Sequence, residues 1–332
     1  MSRKRINSIY SLAVESLSQE DHELFNDAWN TARTHHGNEI IFYLPGMVKY
    51  GRSRGKYPAV SLTGSHCQLL CEHCKGKLLK PMLKVNSPDE LFKTAIRLSQ
   101  MGAWGLLLTG GANRHGNLPW LEFAEAIGKI SSETNLILTA HTGFPDKKSC
   151  RVIKESGIKQ ALIDVMGDSD TASEIYHLES LAQVTKALDC LSKTGIELAP
   201  HVVAGLKYGK IESEEKALEL ISRYKPKALV IVSLTPLKET PMALVQGPTP
   251  LEIGRLIARA RLLMPGTPIS LGCERPRNKE GWMMEALAIR AGATRIAIWS
   301  DHAVETAAGL GLHVKYQGTC CSLPFFEECG IP

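Results

Sequence analysis

No apolar run in this 332-residue chain approaches the eighteen or so residues that cross a bilayer, so no membrane-spanning helix is expected. Aromatic residues are few, at 6%, and charge of one sign is not concentrated. The net charge is only +5, with Lys and Arg spread along the chain rather than striped, which gives nucleic-acid binding little support. The opening MSRKRINSIYSLAVESL has no acid before Glu15, but it also lacks a long apolar core and a cleavage site. It reads as a plain N-terminal helix rather than a targeting segment. A secreted disulfide scaffold is excluded on size and parity: such chains are short and loop-rich, and here the cysteines number nine. The resulting expectation is a soluble, cytoplasmic protein with neither a membrane nor a nucleic acid as partner.

What the chain does have is a thiol cluster. Cys67, Cys71 and Cys74 fall in the run HCQLLCEHC, with spacing Cys-x₃-Cys-x₂-Cys, directly after the apolar strand pattern AVSLTG. Three thiolates suit a [4Fe–4S] cluster that keeps one iron open, because a closed cubane takes four cysteines. A zinc knuckle completed by His66 or His73 is the alternative, but zinc ribbons pair two C-x₂-C units and lack the strand that feeds this loop. Cys150 and Cys190 sit alone in apolar helical patterns and are expected as core thiols.

Apolar, β-branched runs alternate with amphipathic segments along most of the chain. Strands are expected at 58–63, 104–109, 135–140, 159–165, 196–203, 227–233, 268–272 and 295–300. Helices are expected near 87–101, 120–133, 146–156, 171–194, 212–223, 249–264 and 279–291, after a helical preface at 8–36. Strict alternation argues for parallel strands with helical crossovers, and eight strands make a (β/α)₈ TIM-type barrel; an open six-stranded partial barrel is the alternative. The organisation read from this pattern is an N-terminal helical extension at 1–45, the barrel at 46–310 and a cysteine-bearing tail at 311–332.

The cysteine loop resembles the cluster motif of the radical S-adenosylmethionine (SAM) superfamily. The resemblance implies SAM bound at the open iron, its reductive cleavage, and hydrogen abstraction by a 5′-deoxyadenosyl radical. Strand ends then supply the SAM contacts that the resemblance implies. Thr109, Gly110 and Gly111 match the glycine-rich motif, with Ala112 where an acid is usual. Asp164 or Asp168 stands where a polar residue meets the ribose in biotin and lipoyl synthases, while Asp170 reads as a helix cap. His201, in HVVAGL, and His73 stand on the adenine side, and Thr235 and Pro236 open a stretch, TPLKETPM, that resembles biotin synthase.

Cys273 occupies the position of the arginine that ligates biotin synthase's auxiliary cluster, but the strand-end cysteines of that site are missing here. The tail instead carries Cys320, Cys321 and Cys329, which with Cys273 fit a second [4Fe–4S] cluster; the adjacency of Cys320 and Cys321 leaves open which of the two is a ligand, with Ser322 as an outside candidate. Two clusters in a biotin synthase-like barrel resemble a subunit of the two-protein lipoyl synthases. That resemblance implies sulfur insertion into a protein-bound octanoyl chain. It also implies an octanoylated carrier such as the glycine cleavage H protein, a second radical SAM subunit and an electron donor such as ferredoxin. Another biotin synthase-like mutase, methylase or maturase, or a non-catalytic metal-binding scaffold, are the competing readings.

Overall fold

The computed structural model describes residues 8–15, 17–46, 48–50 and 53–326. Helices α1 (Ser8–Glu15) and α2 (Gln19–His36) precede β1 (Glu39–Tyr43) and a small antiparallel ribbon of β2 (Lys49–Tyr50) and β3 (Ser53–Arg54). The cysteine loop lies between β4 (Ala59–Ser61) and β5 (Leu83–Lys84). Alternation follows through α3 (Pro88–Gln100), β6 (Gly105–Thr109), α4 (Trp120–Glu133), β7 (Ile137–His141), α5 (Lys147–Glu155) and β8 (Gln160–Asp164). It continues through α6 (Leu181–Lys193), β9 (Glu197–Ala204), α7 (Glu214–Ser222), β10 (Leu229–Ser233) and α8 (Pro250–Leu263). The last elements are β11 (Ile269–Leu271), α9 (Lys279–Arg290), β12 (Arg295–Ala297), α10 (Asp301–Gly309) and β13 (His313–Gln317).

The expected TIM-type α/β architecture is present as a curled parallel sheet of 11 strands forming a half-barrel, ordered β13-β1-β12-β11-β10-β9-β8-β7-β6-β4-β5. Its edges are β13 and β5. Parallel pairing brings the carboxyl ends of the strands to one end: Ser61 pairs with Thr109, His141 with Leu162, and Asp164 with His201. The helix starts read from the sequence are made as expected. Ser87 accepts from the Glu90 amide ahead of α3, and Thr249 and Glu252 cap each other's backbone ahead of α8.

Besides the short β2, β3 and β5 and helix α10, which the sequence pattern does not mark, it misses two longer strands and breaks one helix. Strands β1 and β13 were not among the expected strands; they pair with each other along five residues each. The helix expected over 171–194 is interrupted. A π turn at Thr171–Ile175 ends before α6, and His177 between them takes φ +55°. The interruption has a packing reason, because it lays this segment on the cysteine loop. The His177 ring meets the Leu69 carbonyl at 2.7 Å and the Glu72 carboxylate at 2.8 Å, and the Glu72 amide donates to the Ile175 carbonyl. Tertiary contact overrides local helix propensity here.

Side chains alternate across the sheet, so the two faces can be told apart. Leu229 and Ile231 of β10 join the large core under the helices, whereas Val230 and Val232 face the barrel lumen with Tyr43 and Ala297. The segment after β13 fills part of that lumen. Cys321 clusters with Tyr43, Val230, Val232 and Ala297, and Cys320 packs against the cluster of Leu162, Ala199 and Ala228.

A backbone run through a barrel interior must have its carbonyls satisfied. Arg295 of β12 donates to the Cys321 and Ser322 carbonyls at 3.1 and 2.8 Å. Gln160 of β8 donates to the Ser322 carbonyl at 3.2 Å, and the Tyr43 hydroxyl to that of Leu323 at 2.8 Å. Arg295→Leu leaves the Cys321 carbonyl without its donor and the Ser322 carbonyl with that of Gln160 alone, so a stability loss on the order of 2 kcal/mol is expected. Urea unfolding reads the loss, and limited proteolysis should find the tail more readily cut; wild-type values for both would contradict this role.

Candidate active site at the carboxyl end of the sheet

The loop after β4 carries the three predicted thiols close together. Cys71 is buried, and Cys67 and Cys74 are half-buried. Turn hydrogen bonds from the Cys74 and Lys75 amides to the Cys71 carbonyl fix the loop. Cys71 and Cys74 share a hydrogen bond that holds the Cys74 thiol down at about 4 and pushes that of Cys71 up, so the pair readily carries one negative charge. Among the described residues, no three His, Cys, Asp or Glu side chains converge as tightly as a single metal ion requires. A cubane spreads its thiolates over a wider triangle than one ion does.

Gly110 and Gly111 stand beside this loop, and the structure separates their roles. A Cβ on Gly111 would lie 1.9 Å from the His66 carbonyl oxygen and 2.6 Å from Cys67 Cα. On Gly110 it would meet only the Thr63 side chain and the Leu62 amide, at 3.1 Å or more. Gly111 is thus required by the close approach of the cysteine loop, and its amide donates to Thr63 Oγ1 at 2.7 Å. Thr109, the last residue of β6, is buried behind it.

Facing the thiols is a polar group drawn from three neighbouring strand ends. His141 Nε2 of β7 lies 3.3 Å from Asp164 Oδ1 of β8, and the Tyr176 hydroxyl donates to Asp164 Oδ2 at 3.1 Å. The His201 ring of β9 stands edge-on to His141 with centroids 5.2 Å apart, and its Nδ1 lies 3.0 Å from the Ala199 carbonyl oxygen. Burial opposes the charge on Asp164, but the imidazoles of His141, His201 and His73 outweigh it and hold the carboxyl below its usual range. For His141, too, burial opposes the charge and the Asp164 carboxylate prevails, raising its pKa. Burial, reinforced by cationic His141, pushes His201 down to about 4, so it is neutral at pH 7.

His73 closes this group against the cysteine loop. Its ring is 5.2 Å from that of Tyr176, and its Nδ1 is buried without a hydrogen-bond partner. An orphaned buried nitrogen beside three thiols is what a bound group at this place would satisfy, so the residues fit a cluster with its ligand.

Asp168 is differently engaged. Its carboxylate accepts from the Thr171 amide at 2.6 Å and caps the π turn, a task expected of Asp170, whose side chain makes no cap bond. Thr235 and Pro236 sit half-buried at the mouth after β10, where Thr235 hydrogen-bonds Glu274. Tyr176, His177 and Glu274 were not singled out from the sequence. Their place depends on the broken helix and on the loop after β11, neither of which leaves a periodic signal.

Cys273 follows β11 at the mouth; the protein packed around its thiol, with Cys320 and Glu274 adding, pushes it up to about 11. Cys320 and Cys321 share a hydrogen bond that lowers the first to about 6 and raises the second. Both lie within electrostatic reach of Cys273, and Cys320 also of His141. Cys329 lies outside the described residues. The loop of Cys273 is held by a buried ion pair. Arg275, bound to Glu285, donates to the Ala297 carbonyl at 2.8 Å, while Glu285 accepts from the Ser300 amide. Cys150, as expected, is a buried core thiol, and Cys190 is half-buried.

A curled parallel α/β sheet with an open-corner cysteine loop after its first barrel strand defines a class of protein, and comparison with known proteins agrees. No family model matches the chain. Biotin synthase of Leptospira interrogans serogroup Icterohaemorrhagiae serovar Lai is 22% identical over 222 residues, 65% of this chain and 62% of that protein. Biotin synthase of Allorhizobium ampelinum is 23% identical over 252 residues, 74% of each chain. The chain thus spans under two thirds of the first relative's length and more of the second's. Among solved structures, methylornithine synthase (PylB) superposes with a TM-score of 0.61 at 17% identity, over 87% of this chain and 80% of that one. The [FeFe]-hydrogenase maturase HydG does so with 0.61 at 14% identity, over 95% and 76%. These likenesses agree on the fold. The chain is thus similar, at low identity, to biotin synthases, and it shares the fold of the two solved structures.

Two predictions follow the geometry. Gly111→Ala should displace Cys67 and strip iron from the anaerobically purified protein, whereas Gly110→Ala should keep it; equal iron in both would contradict the assignment. Asp164→Asn removes the carboxylate that raises His141, so the imidazole should titrate at lower pH than in the wild type. A proton NMR titration with an unmoved midpoint would refute that pairing.

Proposed function

We propose that this chain reductively cleaves SAM at a [4Fe–4S] cluster held by Cys67, Cys71 and Cys74. We further propose that it inserts sulfur from an auxiliary [4Fe–4S] cluster, held by Cys273, Cys320, Cys321 and Cys329, into a protein-bound octanoyl chain. The observation that carries this reading is the tail threaded through the lumen, which brings Cys320 and Cys321 towards Cys273 below the first cysteine loop. When bound, the first cluster would supply one electron that splits SAM into methionine and a 5′-deoxyadenosyl radical, which takes a hydrogen atom from the octanoyl chain; the auxiliary cluster would supply a sulfide to the carbon radical and take up the one electron released as the C–S bond forms.

The chain's own residues position these partners. Thr63 and Gly111 seat the cysteine loop. Asp164, Thr109, His73, His201, Thr235 and Pro236 line the space for SAM, and Asp164 accepts from its ribose hydroxyls. Arg295 and Gln160 hold the tail, and Arg275 with Glu285 holds the loop of Cys273. An octanoylated carrier such as the glycine cleavage H protein, a second radical SAM subunit and a ferredoxin-type donor complete the proposed reaction.

A second reading is favoured by the His141, Asp164, His201 and Tyr176 group. So polar a wall suits a small polar substrate, as a biotin synthase-like mutase, methylase or maturase would use. Iron counting on anaerobic protein separates the two, because each cubane carries four: about eight irons per chain are expected on the first reading and about four on the second. Replacing Cys67, Cys71 and Cys74 together with Ala should abolish 5′-deoxyadenosine formation. Cys273→Ala should still form it while yielding no thiolated octanoyl peptide and losing about four irons. Full sulfur insertion by that variant would overturn the auxiliary assignment.

A further inference from the structure

The amino ends of the strands carry a second polar group, at the end of the sheet opposite the cysteine loop. Arg261 of α8 is fully buried, and its guanidinium reaches the turns that lead into β11 and β12. Its Nε donates to the Gly292 carbonyl at 3.1 Å, and its Nη1 to those of Pro265 and Thr267 at 2.9 and 2.8 Å. Nη1 also lies 2.9 Å from Nε2 of His36, the last residue of α2. A guanidinium can only donate, so this imidazole nitrogen accepts and the ring is neutral. Burial first, and then the Arg261 cation, hold His36 down at about 4, in agreement. Nη2 of Arg261 is buried with no partner.

Arg33, in the last turn of α2, adds a second unanswered cation. All three of its guanidinium nitrogens are buried without a hydrogen-bond partner, and its Cζ lies 4.7 Å from the Trp29 ring centroid. Arg33 is close enough to Arg261 and His36 to depress both. Helix α2 packs tightly on this corner: a Cβ on Gly292 would lie 3.0 Å from Ala32 Cβ and 3.2 Å from Arg261 Cγ. Arginine ion pairs among the described residues are those of Arg255, Arg259 and Arg275, so no carboxylate there answers Arg33 or Arg261. Trp29 offers Arg33 a π face and the end of α2 a partial negative charge, but neither accepts the in-plane N–H bonds. Buried charged donors left unpaired are rare, because each forfeits its hydration. Arg33 and His36 are only half-buried, so this corner lies near the surface and not in the sealed core.

We propose that Arg33 and Arg261 form a binding site for a phosphate group, inorganic or carried on a small phosphate ester. Two guanidinium cations with free donors and no carboxylate between them match a doubly charged oxyanion. Tetrahedral phosphate oxygens can accept from both guanidinium forks, whereas a single carboxylate would leave one positive charge unanswered. Bound there, phosphate ties α2 to α8 and to the turns before β11 and β12. The site lies at the far end of the sheet from the thiols and is independent of the reaction proposed above.

Equilibrium dialysis of the full chain against radiolabelled inorganic phosphate, with ionic strength held constant by KCl, tests the site. Wild type should bind about one phosphate per chain, and its Tm should rise with phosphate but not with KCl. Arg33→Leu should raise the phosphate Kd at least about tenfold and lose the rise in Tm. Should that variant fold poorly, Arg33→Gln gives the same Kd comparison. Arg97→Leu, on α3 and outside the cluster, should bind as wild type does. Unlabelled glycerol 3-phosphate separates the two sources: displacement as strong as that by phosphate supports an ester, and failure to compete supports the free ion. No saturable binding to wild type overturns the proposal, and so does a Kd that the Arg33 variants leave unchanged. Acetate displacing the label as well as phosphate does would make this a carboxylate site and also overturns it.

Discussion

Arg295 donating to the Cys321 and Ser322 carbonyls is the contact on which the second thiol group depends. A guanidinium buried in a barrel lumen is costly unless its donors are used and its charge is answered. Here the donors serve two carbonyls of the tail, and the cation stands 5.8 Å from the Tyr43 ring centroid. Among the described residues no carboxylate pairs with it. The clamp fixes the tail's path through the lumen, and with it the positions of Cys320 and Cys321.

The mouth above the tail is organised by a second departure from regularity, the broken helix after β8. A continuous helix from 171 would carry Tyr176 and His177 away from the sheet. The π turn and the left-handed His177 bring them back, so one short segment touches Cys71 through the Tyr176 carbonyl and Asp164 through the Tyr176 hydroxyl. Cysteine loop, Asp164 carboxylate and imidazole pair are thereby one connected unit rather than separate strand-end residues. Irregular turns of this kind recur where function outweighs helix regularity.

Much of this was legible in the sequence. The β-then-α alternation predicts the parallel sheet, because period-2 and period-3.6 patterns are local and capping residues such as Ser87 and Thr249 mark where one gives way to the other. The thiol loop was legible because its spacing is local too. What could not be read is what long-range contact decides. Strand β1 looks like loop, since its five residues gain their order only from β12 and β13, far along the chain. Gly111 reads as a ligand-facing glycine, and only the fold shows the His66 carbonyl in its path. Asp168 rather than Asp170 caps the turn after β8, because a π turn shifts the cap by two residues. The tail's route through the lumen has no sequence signal beyond its cysteines.

The central claim is that the tail and Cys273 hold a sulfur donor within reach of the substrate radical. The most direct measurement is mass analysis of the octanoyl peptide product after the protein has been reconstituted with heavy-isotope sulfide and reduced with SAM present. The account predicts isotope in the product at about one turnover per chain, with no further product unless the auxiliary cluster is rebuilt. Thiolated product free of the isotope, or SAM cleavage with no sulfur transferred to any octanoyl peptide, would contradict it.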